Sequence, residues 1–205
     1  MKRVTAFLLF AGVCLTQACN NANNNKNTTD SAGTAYGTDT TMTHNDSMST
    51  ASSGGVTSTA PLGKDDSEFA VKAATGGMME VQLGQIAQGK AMNQRVKDFG
   101  NMMVQDHSAA DDDLKKLSSA KNLTLPATLS DKQQREINDL NKKNGADFDK
   151  AYMKMMVDDH EKDIKEFEKA GKDAKDADLK NFVMKTLPTL QKHLDSAKAI
   201  YDAVK

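Results

Sequence analysis

The sequence has no tryptophan, three prolines and two cysteines in 205 residues, and aromatic residues make up 5% of it. Both cysteines, Cys14 and Cys19, fall near the N-terminus, so the rest of the chain has no thiol for catalysis and no internal disulfide. Stability beyond that point has to come from packing. Charge is nearly balanced, with 27 Lys and Arg against 28 Asp and Glu, and no basic patch marks a nucleic-acid surface. Alternating strand-like runs are absent, and so is any Gly-rich loop followed by Lys-Ser/Thr that would cradle a phosphate. No serine stands in a recognisable nucleophile turn. The apolar run from Ala6 to Leu15 is too short for a bilayer-spanning helix of ~20 residues.

That short run has the surroundings of a secretory signal over residues 1–18. Lys2 and Arg3 precede it, and Thr16-Gln17-Ala18 leads to Cys19, giving the basic region, apolar region and small residue before a cut. A cysteine directly after the small residue resembles a lipobox, with Leu15 one place further from the cysteine than the usual pattern has it. The expectation is a mature protein starting at Cys19 and anchored to a membrane by its acyl chains. Ordinary secretion with cleavage nearby is the alternative. By analogy with lipoprotein sorting, Asn20 lacks the aspartate of inner-membrane retention and points to the outer membrane, facing the periplasm. Residues 19–64 are mostly Asn, Thr, Ser, Gly and Ala. Such a segment buries too little apolar surface to offset its ordering entropy and reads as a disordered tether, with His44 inside it.

From residue 65 to 205 the texture changes to charged residues interleaved with Leu, Met, Phe and Ala at helical spacing. Asp65 with Glu68 opens a first helix to about Gly89, with Phe69, Ala73, Gly76, Glu80, Leu83 and Ala87 on one stripe. Gly76, Gly77 and Gly84 inside it suggest close approach of a neighbouring helix. A second helix from about Asn93 to Ala120 aligns Val96, Phe99, Met103, His107, Ala110, Leu114 and Leu117. Ser130 and Gln133 form a capping box for a short helix to about Lys143, ended by Gly145. Two more follow, from Asp147 to Ala170 with Tyr152, Met156, His160, Ile164 and Phe167, and from Asp176 onward with Leu179 through Val204 and a kink expected at Pro188. Four long apolar stripes need one another to be hidden, which predicts an all-α four-helix bundle with an additional short helix. Phe99-x-x-Met102-Met103-Val104-x-Asp106-His107 also recurs as Tyr152-x-x-Met155-Met156-Val157-x-Asp159-His160.

One ionisable residue falls on or beside each long stripe: Glu80, His107, His160 and His193. Buried polar groups demand partners, and bundles build metal sites from side chains on facing helices. Three imidazoles and a carboxylate suit zinc, copper, iron or nickel. A hydrogen-bonded polar core, with Tyr152 satisfying one histidine, is the alternative. Asp106 and Asp159 adjoin the histidines but point about 100° away on a helix, which makes them outer partners or surface groups rather than ligands. If the turns near residues 90 and 173 lie at one end, Glu80, His160, His107 and His193 sit at roughly 15, 20, 25 and 30 Å below them. Met103 and Met156 each share a face with a histidine four residues on, as copper(I) thioether ligands or as core filler. The run from Glu161 to Lys175 reads as a solvated face.

Gly77-Met78-Met79-Glu80-Val81-Gln82-Leu83-Gly84, Asp106-His107, Phe148-Asp149-x-x-Tyr152, Asp159-His160 and Leu187-Pro188-x-Leu190-x-x-His193-Leu194 resemble the bacterial family called domain of unknown function 4142. The resemblance runs from about Ser67 to Val204. It implies a ferritin-like bundle in exported proteins with no established activity, and its recurrent polar positions fall on Glu80, His107, His160 and His193. Di-iron ferritin-like proteins carry Glu-x-x-His on two helices. Here Val104 and Val157 stand three before the histidines, and no Glu-x-x-His occurs. The expectation is therefore a site for zinc, copper or iron that is not a standard di-iron centre, in a non-enzymatic envelope protein serving stress protection or metal handling. A metal-dependent redox or hydrolytic enzyme and an envelope interaction module remain open, with no nucleic-acid partner expected.

Overall fold

Alternation of charged and apolar residues at helical spacing carries through into five helices. The computed structural model describes residues 59–205 and contains α1 (Lys64–Lys90), α2 (Gln94–Ala120), α3 (Asp131–Asn141), α4 (Gly145–Asp173) and α5 (Ala177–Val204), with no strand among the described residues. The expected signal, Cys19, His44 and all but the last residues of the expected tether lie outside the described residues.

Helix ends follow local chemistry. Asn93 accepts from the Arg95 N–H at 2.9 Å, and Asp176 accepts from Asp178 and Leu179. Ser130 and Gln133 form the expected capping box. Asp65 does not cap α1. The helix starts one residue earlier behind Gly63, with Asp65 and Asp66 in its first turn, where the helix dipole favours carboxylates. Gly145 does not end α3, which stops at Asn141. It opens α4 instead, at φ 56°, a conformation costly for a residue with a Cβ. α5 continues through Pro188 as a single helix.

Two buried aspartates define the topology. Asp66, near the start of α1, accepts from the backbone N–H groups of Lys175 and Asp176 at 3.0 and 2.9 Å, in the turn between α4 and α5. Asp149, near the start of α4, accepts from Met92 and Asn93 at 3.0 and 2.7 Å, in the turn between α1 and α2. Each hairpin thus holds the turn of the other, and the two turns lie at opposite ends of the bundle. α1 packs on α2 and α4, and α5 on α4 and α2, so α2 and α4 are diagonal and run in the same direction. The connection between them, which contains α3, returns along the bundle as in ferritin-like folds with one crossover. Buried Lys121, just past α2, ties that end to α5 through Asp176 and Asp178, both at 2.7 Å.

This topology corrects the depths expected for the polar residues, which assumed both turns at one end. Counted from opposite ends, Glu80 and His107 lie near the middle of helices about 40 Å long, and so do His160 and His193. They separate two apolar clusters. One holds Leu83, Phe99, Met103, Phe148, Tyr152, Met156 and Ala197; the other holds Ala70, Leu114, Phe167, Leu179, Phe182 and Leu190. In α1 the buried face at the N-terminal end runs through Ala70, Ala74 and Gly77, one residue on from the expected Phe69, Ala73 and Gly76.

α1 and α2 approach backbone to backbone at Gly84 and Gly100. A Cβ on Gly84 would lie 2.6 Å from the Gly100 carbonyl oxygen, and one on Gly100 2.8 Å from that of Gly84. Gly77 makes room for the Asp111 carboxylate of α2 rather than for backbone, whereas Gly76 has nothing within 4 Å of an added carbon. Gly84→Ala is expected to cost about 1–3 kcal/mol through overpacking. Gly76→Ala should gain up to about 1 kcal/mol from helix propensity. Urea unfolding of the two variants, with opposite signs expected, checks both.

Candidate functional site

The four long helices each place one polar side chain in the layer between the apolar clusters. Glu80, His107, His160 and His193 are all buried, with relative exposures of 4, 6, 0 and 1%. Each imidazole has one nitrogen facing outward to an oxygen. His107 Nδ1 lies 3.0 Å from Glu80 Oε2. His160 Nδ1 donates to the Met156 carbonyl at 2.9 Å and lies 3.4 Å from Glu80 Oε1. His193 Nε2 donates to Asp106 Oδ2 at 2.9 Å. A proton held on each outer nitrogen leaves a lone pair on each inner one.

Those inner nitrogens converge. His160 Nε2 and His193 Nδ1 are 3.3 Å apart, and His107 Nε2 has no hydrogen-bond partner. One ring nitrogen from each histidine lies within 4.8 Å of the other two, and the ring centroids are 5.2–5.7 Å apart. A tetrahedral ion with metal–nitrogen bonds of about 2.0–2.1 Å sets its ligands roughly 3.3–3.4 Å apart. The His160–His193 pair already has that spacing. Three buried histidines here form a set that can hold a metal ion.

Burial keeps the rings neutral. It pushes His107 well below the ordinary imidazole value and His160 to about 4, with their histidine neighbours adding to both shifts. Burial also lowers His193, although Asp106 pulls it back. Neutral imidazole is the ligating form. The carboxyl groups move the other way. Burial raises Glu80 well above the usual range, helped by Asp163, Asp159 and Asp111. Asp111 and Asp159 are pushed up to about 6 and Asp163 to about 7, each mainly by burial. The Tyr152 hydroxyl is buried without a partner, and burial together with Glu80 raises its pKa.

Two cavities reach the layer. One of about 40 Å³ is bounded by Glu80, His107, Asp111 and Asp163. The other, about 160 Å³ between α2 and α5, is bounded by Asp106, His107 and His193.

All four residues singled out from the stripes are brought together. Glu80 stands on the outer nitrogen of His107, and the converging set consists of the three histidines. Asp106 reaches across to His193 rather than to its own neighbour, while Asp159 makes no hydrogen bond to any of the rings. Met103 and Met156 are fully buried core residues, and the Met156 contribution to His160 is its carbonyl. Asp111 and Asp163 are site residues that the apolar stripes do not mark. Asp163 belongs to the run read as a solvated face, but it turns inward toward Glu80. The signal was spacing: Asp111 is four residues after His107 and Asp163 three after His160, which puts each on its histidine's face.

Comparison with family models matches residues 51–200 to the domain of unknown function DUF4142. The chain belongs to the DUF4142 family. No curated protein matches the sequence. Among solved structures, the crystal structure of a DUF305 fragment from Deinococcus radiodurans is similar, with a TM-score of 0.62 and 9% identity, covering 70% of this chain and 99% of that one. At that identity the likeness concerns the fold, and it agrees with the all-α bundle of this DUF4142 domain.

The raised carboxyl groups give a stability signature. In the folded DUF4142 domain Asp163 keeps its proton up to about pH 7, whereas the unfolded chain releases it near pH 4. The unfolded state therefore binds fewer protons between those values, and this group's contribution to stability falls as pH rises through them. Asp163→Asn removes that slope. Relative to the parent, the variant is expected to gain roughly 1–3 kcal/mol between pH 4 and pH 8, measured by urea unfolding in a chelating buffer. A gain that does not grow with pH would contradict the assignment.

Proposed function

We propose that this is an exported, lipid-anchored envelope protein whose bundle holds one first-row transition-metal ion on His107, His160 and His193. The observation that carries the metal reading is the convergence of three inner ring nitrogens while every outer nitrogen has an oxygen partner. Glu80, the Met156 carbonyl and Asp106 play the part that outer hydrogen bonds play in metal sites generally, fixing ring orientation and tautomer. Three neutral nitrogen donors suit zinc, copper or iron. The donor set does not suit a di-iron centre, because Glu80 is the one carboxylate at the layer from α1 and no Glu-x-x-His supplies a second set. Metal handling or stress protection in the envelope fits such a site on a tether. The basic residues, apolar run and Cys19 support the anchor.

The metal reading is tested by elemental analysis and calorimetric titration of the full chain, with Cys14→Ser and Cys19→Ser to remove thiols, against Zn(II), Cu(II) and Fe(II). Expected is one ion per chain, lost in the His107→Ala/His160→Ala/His193→Ala variant. Asp106→Asn, which leaves all three ligands in place, should weaken binding by about 10–100-fold. Binding no better than that of the triple variant would overturn the reading in favour of a purely structural polar core.

Lipidation has its own check. Expressed in a bacterial host with radiolabelled palmitate, the parent chain is expected to take up label and to enter the detergent phase on Triton X-114 partitioning. Cys19→Ser should abolish both, and label retained in that variant would place the anchor elsewhere.

A further inference from the structure

Two cavities touch the polar layer, and the one between α2 and α5 meets two of the three rings, His107 and His193. Its wall also carries Ala110, Thr186 and Thr189, with Lys185 paired to Asp113 at 2.5 Å. At about 160 Å³ it is far larger than the roughly 10–15 Å³ that one water requires. The protein supplies three converging donors, and no further histidine, cysteine or carboxylate joins them among the described residues. Glu80 and Asp106 are engaged on outer ring nitrogens instead. Structural zinc sites close all four positions with protein ligands, whereas open sites leave one for solvent or substrate. Three neutral imidazoles also leave the charge of a divalent ion unneutralised, which favours water, hydroxide or a small anion in the remaining place.

We propose that the cavity between α2 and α5 opens onto the fourth coordination position of the centre and admits one small exogenous ligand there, water at rest and a small inorganic monoanion in competition with it. This rests on the metal reading above and goes beyond it, because it makes the centre exchangeable rather than closed. Thr189, four residues before His193, lines this cavity but not the smaller one, so its side chain controls the room available to the ligand.

The test uses the full chain with Cys14→Ser and Cys19→Ser, loaded with Co(II), whose visible bands respond to a change of ligand, and titrated with sodium azide. Expected is a saturable band shift with one azide per cobalt. Thr189→Leu and Ala110→Leu should each weaken azide binding by about 10-fold or more by filling the cavity, while cobalt affinity stays within about 3-fold of the parent. Cobalt that binds but whose bands azide does not move would overturn this inference and leave the metal reading standing, as a closed site. An azide response untouched in both cavity variants would overturn the assignment to this cavity. Failure to bind cobalt, zinc, copper or iron at all would overturn both.

Discussion

Three imidazoles share one layer of an otherwise apolar bundle, and each must find a partner for its second nitrogen. Leaving a buried donor unpaired costs on the order of 1–3 kcal/mol, so the outer partners are structural necessities before they are anything else. Glu80, the Met156 carbonyl and Asp106 meet that need from α1, α4 and α2. Meeting it has a consequence on the inner side. With the protons drawn outward, three lone pairs face one another, and two of them are 3.3 Å apart. Four buried side-chain atoms lack a hydrogen-bond partner among the described residues, and three of these, Glu80 Oε1, His107 Nε2 and Tyr152 OH, belong to this region. An electrophile at the proposed site between the rings would give the facing lone pairs a partner.

The layer exists only because the two hairpins are held in register. Asp66 and Asp149 do this reciprocally, each spending both carboxylate oxygens or one of them twice on backbone N–H groups of the opposite turn. Those turn amides head α2 and α5, where they have no helical acceptor of their own. The same bonds therefore anchor the turns leading into two helices that Asn93 and Asp176 cap, set the antiparallel order of the hairpins and fix the height at which the polar residues meet. Close approach at Gly84 and Gly100 completes the alignment of α1 with α2.

The helices, their approximate ends and the four polar residues were legible in the sequence, because apolar periodicity and turn chemistry are local signals. Ser130 and Gln133 announced a cap, and the one-per-helix placement of Glu80, His107, His160 and His193 announced a shared layer. What escaped was long-range. No local pattern states that the turns after α1 and α4 lie at opposite ends, so the expected heights of the four residues spread along the bundle when they in fact coincide. Asp66 and Asp149 look like ordinary helix-start carboxylates until the opposite turn is seen against them. Asp163 was hidden by composition, since it sits among lysines and glutamates that do face solvent, and Gly145 has the look of a helix stop although α4 begins at it.

The bundle has the one-crossover topology of ferritin-like folds, yet the arrangement of donors follows a different logic from that of a di-iron bundle. A Glu-x-x-His pair puts two ligands on one helix face, and carboxylates shared between helices can then bridge two ions. Here each of three helices contributes a single imidazole, and the carboxylates stand behind the rings. At the proposed site such a set would surround one ion with nitrogen and leave its charge to be balanced from outside the ligand shell. Glu80, with Asp111, Asp159 and Asp163 around it, would supply part of that balance at a distance. Without a cation, burial holds protons on these carboxyl groups toward neutral pH, and repulsion from neighbouring carboxylates adds to the shift at Glu80 and Asp163. With one at the proposed site, the same attraction that offsets the lone-pair repulsion would favour their ionised forms. Acidic residues and histidines are then two halves of one electrostatic arrangement, which explains why Asp111 and Asp163 lie on the histidine faces of α2 and α4 rather than in solvent.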